Sequence, residues 1–163
     1  MATIPTTCPD CSADCSRGIG QSFAPGKLVW SESLHCSACG CAIEADDSGF
    51  PPPEIRDLLI AAHGLWALQV ELTGIERISA CKILHCDLNT DFADVPAMKN
   101  RIPGIVYVGT KTEMQWLQSR LGEFGFASAV VEIDRDSVPV GACLLYTSPS
   151  PRDLSTSRMP SSA

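Results

Sequence analysis

Hydrophobic periodicity is clearest from Ile102 to Phe126, where the stretch IPGIVYVGTKTEMQWLQSRLGEFGF passes from a strand pattern to a helix pattern. Ile105, Val106, Tyr107 and Val108 make a short β-branched and aromatic run suited to a buried strand, which Gly109 closes. Thr110 and Glu113 stand three apart, so hydroxyl and carboxylate can each satisfy a free backbone N–H in a capping box. Met114, Leu117, Leu121 and Phe124 then share one helical face, and Gly125 can stop the helix in the left-handed region. A strand from Ala127 to Ile133 follows, expected to pair beside the first through a right-handed crossover.

The pattern continues upstream. Glu54 opens a helix in which Ile55, Leu58, Leu59 and Ala62 share a face, and His63-Gly64 ends it. Trp66, Leu68, Val70 and Leu72 alternate with Ala67, Gln69 and Glu71, as in a half-buried strand. Residues 75–87 predict a helix with a broad apolar face that includes Ile75, Ile78, Ile83 and Leu84. Asn89, Thr90 and Asp91 offer an N-cap for a short helix through Asn100, which tolerates Pro96 only in its first turns. The order helix, strand, helix, helix, strand, helix, strand predicts a small α/β sandwich with a three-stranded sheet.

Before this unit the periodicity is weak. Only Lys27 to Trp30 and Ala42 to Ala45 suggest strands, and Gly49-Phe50-Pro51-Pro52-Pro53 breaks the pattern stiffly. The expected division is a ribbon at residues 1–48, a Pro-rich linker and helix at 49–64, an α/β domain at 65–136 and a disordered tail at 137–163. The fold class is therefore α+β.

The tail has a second reading. From Cys143 it runs CLLYTSPSPRDLSTSRMPSSA, which resembles a translated sequencing adapter over Cys143–Asp153 and again over Ser157–Ala163. Residues 143–163 are accordingly expected to be non-native. Without them Lys and Arg fall from 12 to 10 and Asp and Glu from 19 to 18, a net charge of −8. Such an acidic chain argues against broad nucleic-acid binding, because phosphate contacts need a basic face. No run of about 18 apolar residues suggests a membrane span, and the N-terminus MATIPTTCPDC lacks the basic and apolar regions of a secretory signal. A cytoplasmic location is expected.

In that setting nine cysteines favour metal or free thiols over disulfides. Cys8-Pro9-Asp10-Cys11 and Cys36-Ser37-Ala38-Cys39 are two CxxC pairs with 24 residues between them. A two-residue gap lets both thiolates of a tight turn face one ion, and two such turns complete a tetrahedral Zn²⁺ site. Gly40 follows the second pair, where a knuckle needs a positive φ. About fifty residues bury little core, so metal binding would supply the missing folding energy. Cys15, His35 and Cys41 stand close enough in sequence to replace a ligand, although buried thiols and a surface histidine are the plainer reading. A redox role for Cys8–Cys11 is disfavoured because such motifs sit at a strand–helix junction, and no strand is expected before this one. The site is read as structural, with Cys8, Cys11, Cys36 and Cys39 as ligands.

Other candidate chemistry gives way to simpler readings. Cys81 and Cys86 are five apart on a helix, with burial as the default. His85 and Cys86 are neighbours that a helix turns about 100° apart, and no acidic residue completes a triad. His63 favours the negative end of its helix dipole. No phosphate loop, nucleophile motif or paired carboxylates appear, so no enzyme is expected.

The runs ISACKILHCDLNTDF and MKNRIPGIVYVGTKTEMQWLQSRLGEFGFASAVVEI resemble the C-terminal domain of the bacterial ribosomal stalk protein, whose fold class the Clp-protease adaptor shares. The resemblance covers Trp66 to Ile133, and the preceding ribbon is similar to that of bacterial proteins that join one to a stalk-like domain. It implies a protein-binding surface on the first two helices, a face that is basic and glycine-bearing in the family. Here Arg77 and Lys82 are set against Glu76, Asp87, Asp91 and Asp94, which implies weaker steering of charged partners. The expected function is a non-catalytic adaptor or interaction module with an unidentified protein partner. The alternatives are a ribosome- or translation-factor-associated protein and a nucleic-acid-contacting ribbon, the last resting on Trp30 with only Arg17 and Lys27 basic.

Overall fold

The computed structural model describes residues 1–24 and 26–138; the tail assignment beyond Val138, with Cys143 and the adapter-like stretch, lies outside the described residues. Four strands, β1 (Ala2–Thr7), β2 (Asp14–Ala24), β3 (Lys27–His35) and β4 (Ala42–Ser48), form an antiparallel sheet in chain order. Its register aligns Ala2 with Ile19 and Ile19 with Glu32, so Ala2, Ile19, Leu28 and Leu34 share the inner face and are buried. Gly18, Gly20, Ser31, Ser33, Glu44 and Asp46 occupy the outer face. That polar and small-residue face explains why alternation is hard to see in β1 and β2. Pro5 is tolerated because β1 is an edge strand.

The second half follows the expected order. It comprises α1 (Pro53–His63), β5 (Leu65–Val70), α2 (Gly74–Leu88), α3 (Val95–Arg101), β6 (Gly104–Gly109), α4 (Lys111–Glu123) and β7 (Ser128–Ile133). The three-stranded sheet has the order β6-β5-β7, with β5 antiparallel to both neighbours. The crossover from β6 to β7 therefore skips a strand; β7 does not lie beside β6 as expected. β5 takes the centre, and Leu65, Ala67, Leu68 and Val70 are all buried. It is covered on both faces, rather than half-buried, because Ile60 of α1 packs on the face opposite α2 and α4.

Helix ends carry their local signals. Pro53 sits in the first turn of α1, and Pro96 in that of α3. Asn89 turns out to be the left-handed C-cap of α2 (φ 50°), not part of an N-cap for α3. The capping box of α4 is complete: Thr110 Oγ1 accepts from the Glu113 N–H at 3.1 Å and Glu113 Oε2 accepts from the Thr110 N–H at 3.1 Å. Beyond it, the Phe126 N–H reaches the Leu121 carbonyl at 3.0 Å and the Gly125 N–H reaches Gly122 at 2.9 Å, a Schellman closure around Gly125.

Helix α4 lies between the two sheets. Met114, Leu117 and Leu121 are fully buried in the main cluster with Leu68, Val70, Leu84 and Val106, whereas Phe124 at the helix end is 56% exposed. Trp116 is buried as well, in the cluster that takes in Leu28 from β3. A smaller cluster joins Ala2 and Ile19 to Ile55 and Leu59 of α1. The proline-rich stretch does not hold the halves apart, for Phe50 packs edge-on against Tyr107 and Trp116 with centroids 6.3 and 5.8 Å away.

Candidate metal centre

The four predicted cysteines meet at one end of the ribbon sheet. Cys8 and Cys11 lie in the turn between β1 and β2, and Cys36 and Cys39 in the turn between β3 and β4. The turns repeat one hydrogen-bond pattern. The Cys8 N–H donates to the Ala13 carbonyl at 2.9 Å and the Cys36 N–H to Cys41 at 2.8 Å; the Ser12 N–H returns to Cys8, and the Gly40 N–H to Cys36, each at 2.9 Å. The fourth residue after each leading cysteine is left-handed, Ser12 at φ 58° and Gly40 at φ 77°. Gly40 was expected from sequence; its counterpart Ser12 was not, because serine carries no such signal.

All four sulfurs lie within 4.8 Å of one another. Cys8 to Cys39 and Cys11 to Cys36 are 3.6 Å apart, too far for a disulfide of about 2.05 Å. A tetrahedron of thiolates about 2.3 Å from zinc has sulfurs about 3.8 Å apart, so the donor set is of the size such an ion takes. Cys8 and Cys36 are buried, while Cys11 and Cys39 are exposed.

The thiols favour a cation. The Cys11 backbone N–H, aimed at the Cys8 sulfur, is the largest influence drawing that thiol down to about 6. The Cys41 N–H draws on Cys39 in the same way, but the Cys11 and Cys8 sulfurs outweigh it and push Cys39 up to about 12. At Cys11 the Ala13 N–H and Cys39 pull down, yet Cys36, burial and Cys8 leave the thiol raised. Four adjacent thiolates repel one another, and a divalent ion between them turns that repulsion into attraction.

The three alternative ligands stay outside this set. His35 is exposed at the end of β3. Cys15 is half-buried on β2, its thiol pushed up by burial and then by the negative charge of the other cysteines. Cys41 is half-buried, pushed up to about 11 by Asp10 first and then by burial. A strand does precede Cys8–Cys11, contrary to expectation, but another strand follows it, so the pair is not at a strand–helix junction. In the second half Cys81 is buried and Cys86 exposed, where burial was expected for both. His85 Nδ1 lies 3.0 Å from Thr90 Oγ1 and its ring stacks near Phe92 at 4.7 Å.

Sequence reading missed one buried polar group. Arg56 Nε lies 3.0 Å from both Glu113 carboxylate oxygens, and its Nη2 donates to Glu113 Oε2 at 2.9 Å and to the Val108 carbonyl at 2.8 Å. Gln21 Nε2 reaches Glu113 Oε1 at 3.4 Å, and Gln21 Oε1 accepts the Thr110 hydroxyl. The capping box was legible, but its partners come from 57 and 92 residues away in sequence. Among the described residues no helix is long and apolar enough to cross a membrane. Compared with protein-family models, with curated proteins and with solved structures, the chain finds no match in any of the three.

Proposed function

We propose that this chain is a non-catalytic zinc-ribbon protein of a reducing compartment such as the cytoplasm, with a structural tetrathiolate Zn²⁺ centre and an α/β half that binds a protein partner. The observation that carries the reading is the meeting of four sulfurs within 4.8 Å from two identically bonded turns. Cys8, Cys11, Cys36 and Cys39 would hold the ion, whose contribution is to join the β1–β2 and β3–β4 turns. Four thiolates close a tetrahedral sphere and leave no position for water or substrate. The all-sulfur set is soft and suits zinc over magnesium or calcium.

The partner surface is read from exposed apolar side chains beside the likeness to the stalk domain. Ile75 of α2 is 80% exposed, Phe92 84% and Ile78 40%, although α2 was expected to bury both isoleucines. Beside them a groove of about 210 Å³ runs between α2 and α4, lined by Ile83, Cys86 and Phe124 with Lys82, Asp87 and Arg120 around it. Apolar patches rimmed by charge are characteristic of protein contact surfaces. The test begins with metal content by mass spectrometry and thiol titration before and after chelation. One zinc per chain with four thiols released supports the reading; no bound metal, or a Cys8–Cys11 pair that oxidises readily, overturns it. For the partner, Ile75→Asp with Phe92→Asp should abolish co-purification of whatever the wild type retains from a bacterial lysate. Retention of elongation factors would favour the ribosome-associated alternative.

A further inference from the structure

The ribbon meets the rest of the chain through side chains of its strands β1, β2 and β3. Ala2 and Ile19, at 7% and 0% exposed, pack with Ile55 and Leu59 of α1. Leu28, 2% exposed, enters the cluster that contains Trp116 of α4. Gln21 is bonded to both members of the α4 capping box. The inner face of the ribbon thus covers one side of α1 and α4.

We infer that the ribbon is a metal-held cover: release of the ion frees its inner face and opens an apolar surface on an α/β half that remains folded. The inference rests on the four-thiolate reading above. The two halves differ in what holds them. The ribbon's inner face has few buried large side chains, Ile19, Leu28 and Leu34 chief among them, and all of β4 is exposed. A sheet this thin depends on its metal for folding. The α/β half has its own core in Leu68, Val70, Leu84, Val106, Met114, Leu117 and Leu121. Its Arg56–Glu113 pair and capping box are also internal to α1 and α4. When the ribbon leaves, Ile55 and Leu59 lose their cover, Leu28 vacates its place beside Trp116, and the Thr110 hydroxyl loses the Gln21 acceptor. Nothing that closes the β6-β5-β7 sheet is removed.

The test uses the full chain loaded with zinc, then stripped by a chelator under reducing conditions. Two readouts are taken together: fluorescence of the apolar dye anilinonaphthalene sulfonate, and amide hydrogen exchange by mass spectrometry. The expected result is a several-fold rise in dye fluorescence and fast exchange in residues 2–48, with β5, β6, β7 and α4 still protected. Zinc loss without a fluorescence rise overturns the cover, as does loss of protection in both halves together. Ile19→Asp places a charge on the covered face and leaves every thiol in place. It should raise dye fluorescence with one zinc still bound, and unchanged fluorescence in that variant counts against the inference. A wild-type chain that takes up no zinc overturns the four-thiolate reading itself, whereas uptake without uncovering overturns the cover alone.

Discussion

At Gly109 there is no room for a side chain. A Cβ there would stand 2.0 Å from Glu113 Oε2 and 2.3 Å from Arg56 Nη2, so Gly109→Ala must displace the side chains of the buried ion pair. Glu113→Ala takes the carboxylate away from the buried Arg56 guanidinium, and removing one partner of a buried ion pair costs about 3–5 kcal/mol; urea denaturation should show a loss of that size, and Gly109→Ala a loss in the same direction. In the metal turns, Ser12 holds a left-handed conformation that costs a non-glycine residue about 1–2 kcal/mol. Ser12→Gly relieves it against the added backbone entropy, so metal affinity should rise severalfold in competition with a chromophoric chelator. The thiols set the pH dependence. Cys11 and Cys39 are raised, so they are protonated at neutral pH without the ion and must release protons on binding. Cys8, drawn down to about 6, is already a thiolate there and contributes no proton above that pH. Apparent zinc affinity should therefore fall by at least about a hundredfold for each unit that pH drops below 8, as read by chelator competition. A flat profile would contradict the ligand assignment.

Single elements divide by how much of their surroundings are local. Helix α4 was legible almost to the residue, because its N-cap, buried stripe and glycine stop lie within its own sequence. Leu117 is fully buried, and Leu117→Ala should cost about 2–5 kcal/mol in chemical denaturation. Trp116 and Glu113 were not read as buried, since the ribbon and α1 cover them from outside the helix. Helix α2 shows the converse. Its isoleucines suggested a core face, yet only Ala80, Cys81 and Leu84 are buried. Ile75→Ser should accordingly shift stability by less than about 0.5 kcal/mol in chemical denaturation.

For the whole molecule the two sheets are joined through α4 and α1, so metal and fold are not independent questions. Cys36→Ser should lose metal and unfold the ribbon while β5–β7 keep their exchange protection, and full-chain unfolding in that variant would show a single cooperative unit. The chain alone determined the two cysteine turns, the element order of the second half and the ends of α4. These depend on interactions between residues a few positions apart, which leave their spacing in the sequence. Tertiary structure decided that β5 is central and covered on both faces, that β7 does not pair with β6, and that Arg56 and Gln21 meet Glu113. It also decided that β1 and β2 form at all. Their outer face is small and polar and their inner face meets α1, so the burial that selects the strand conformation is supplied by residues more than thirty positions away.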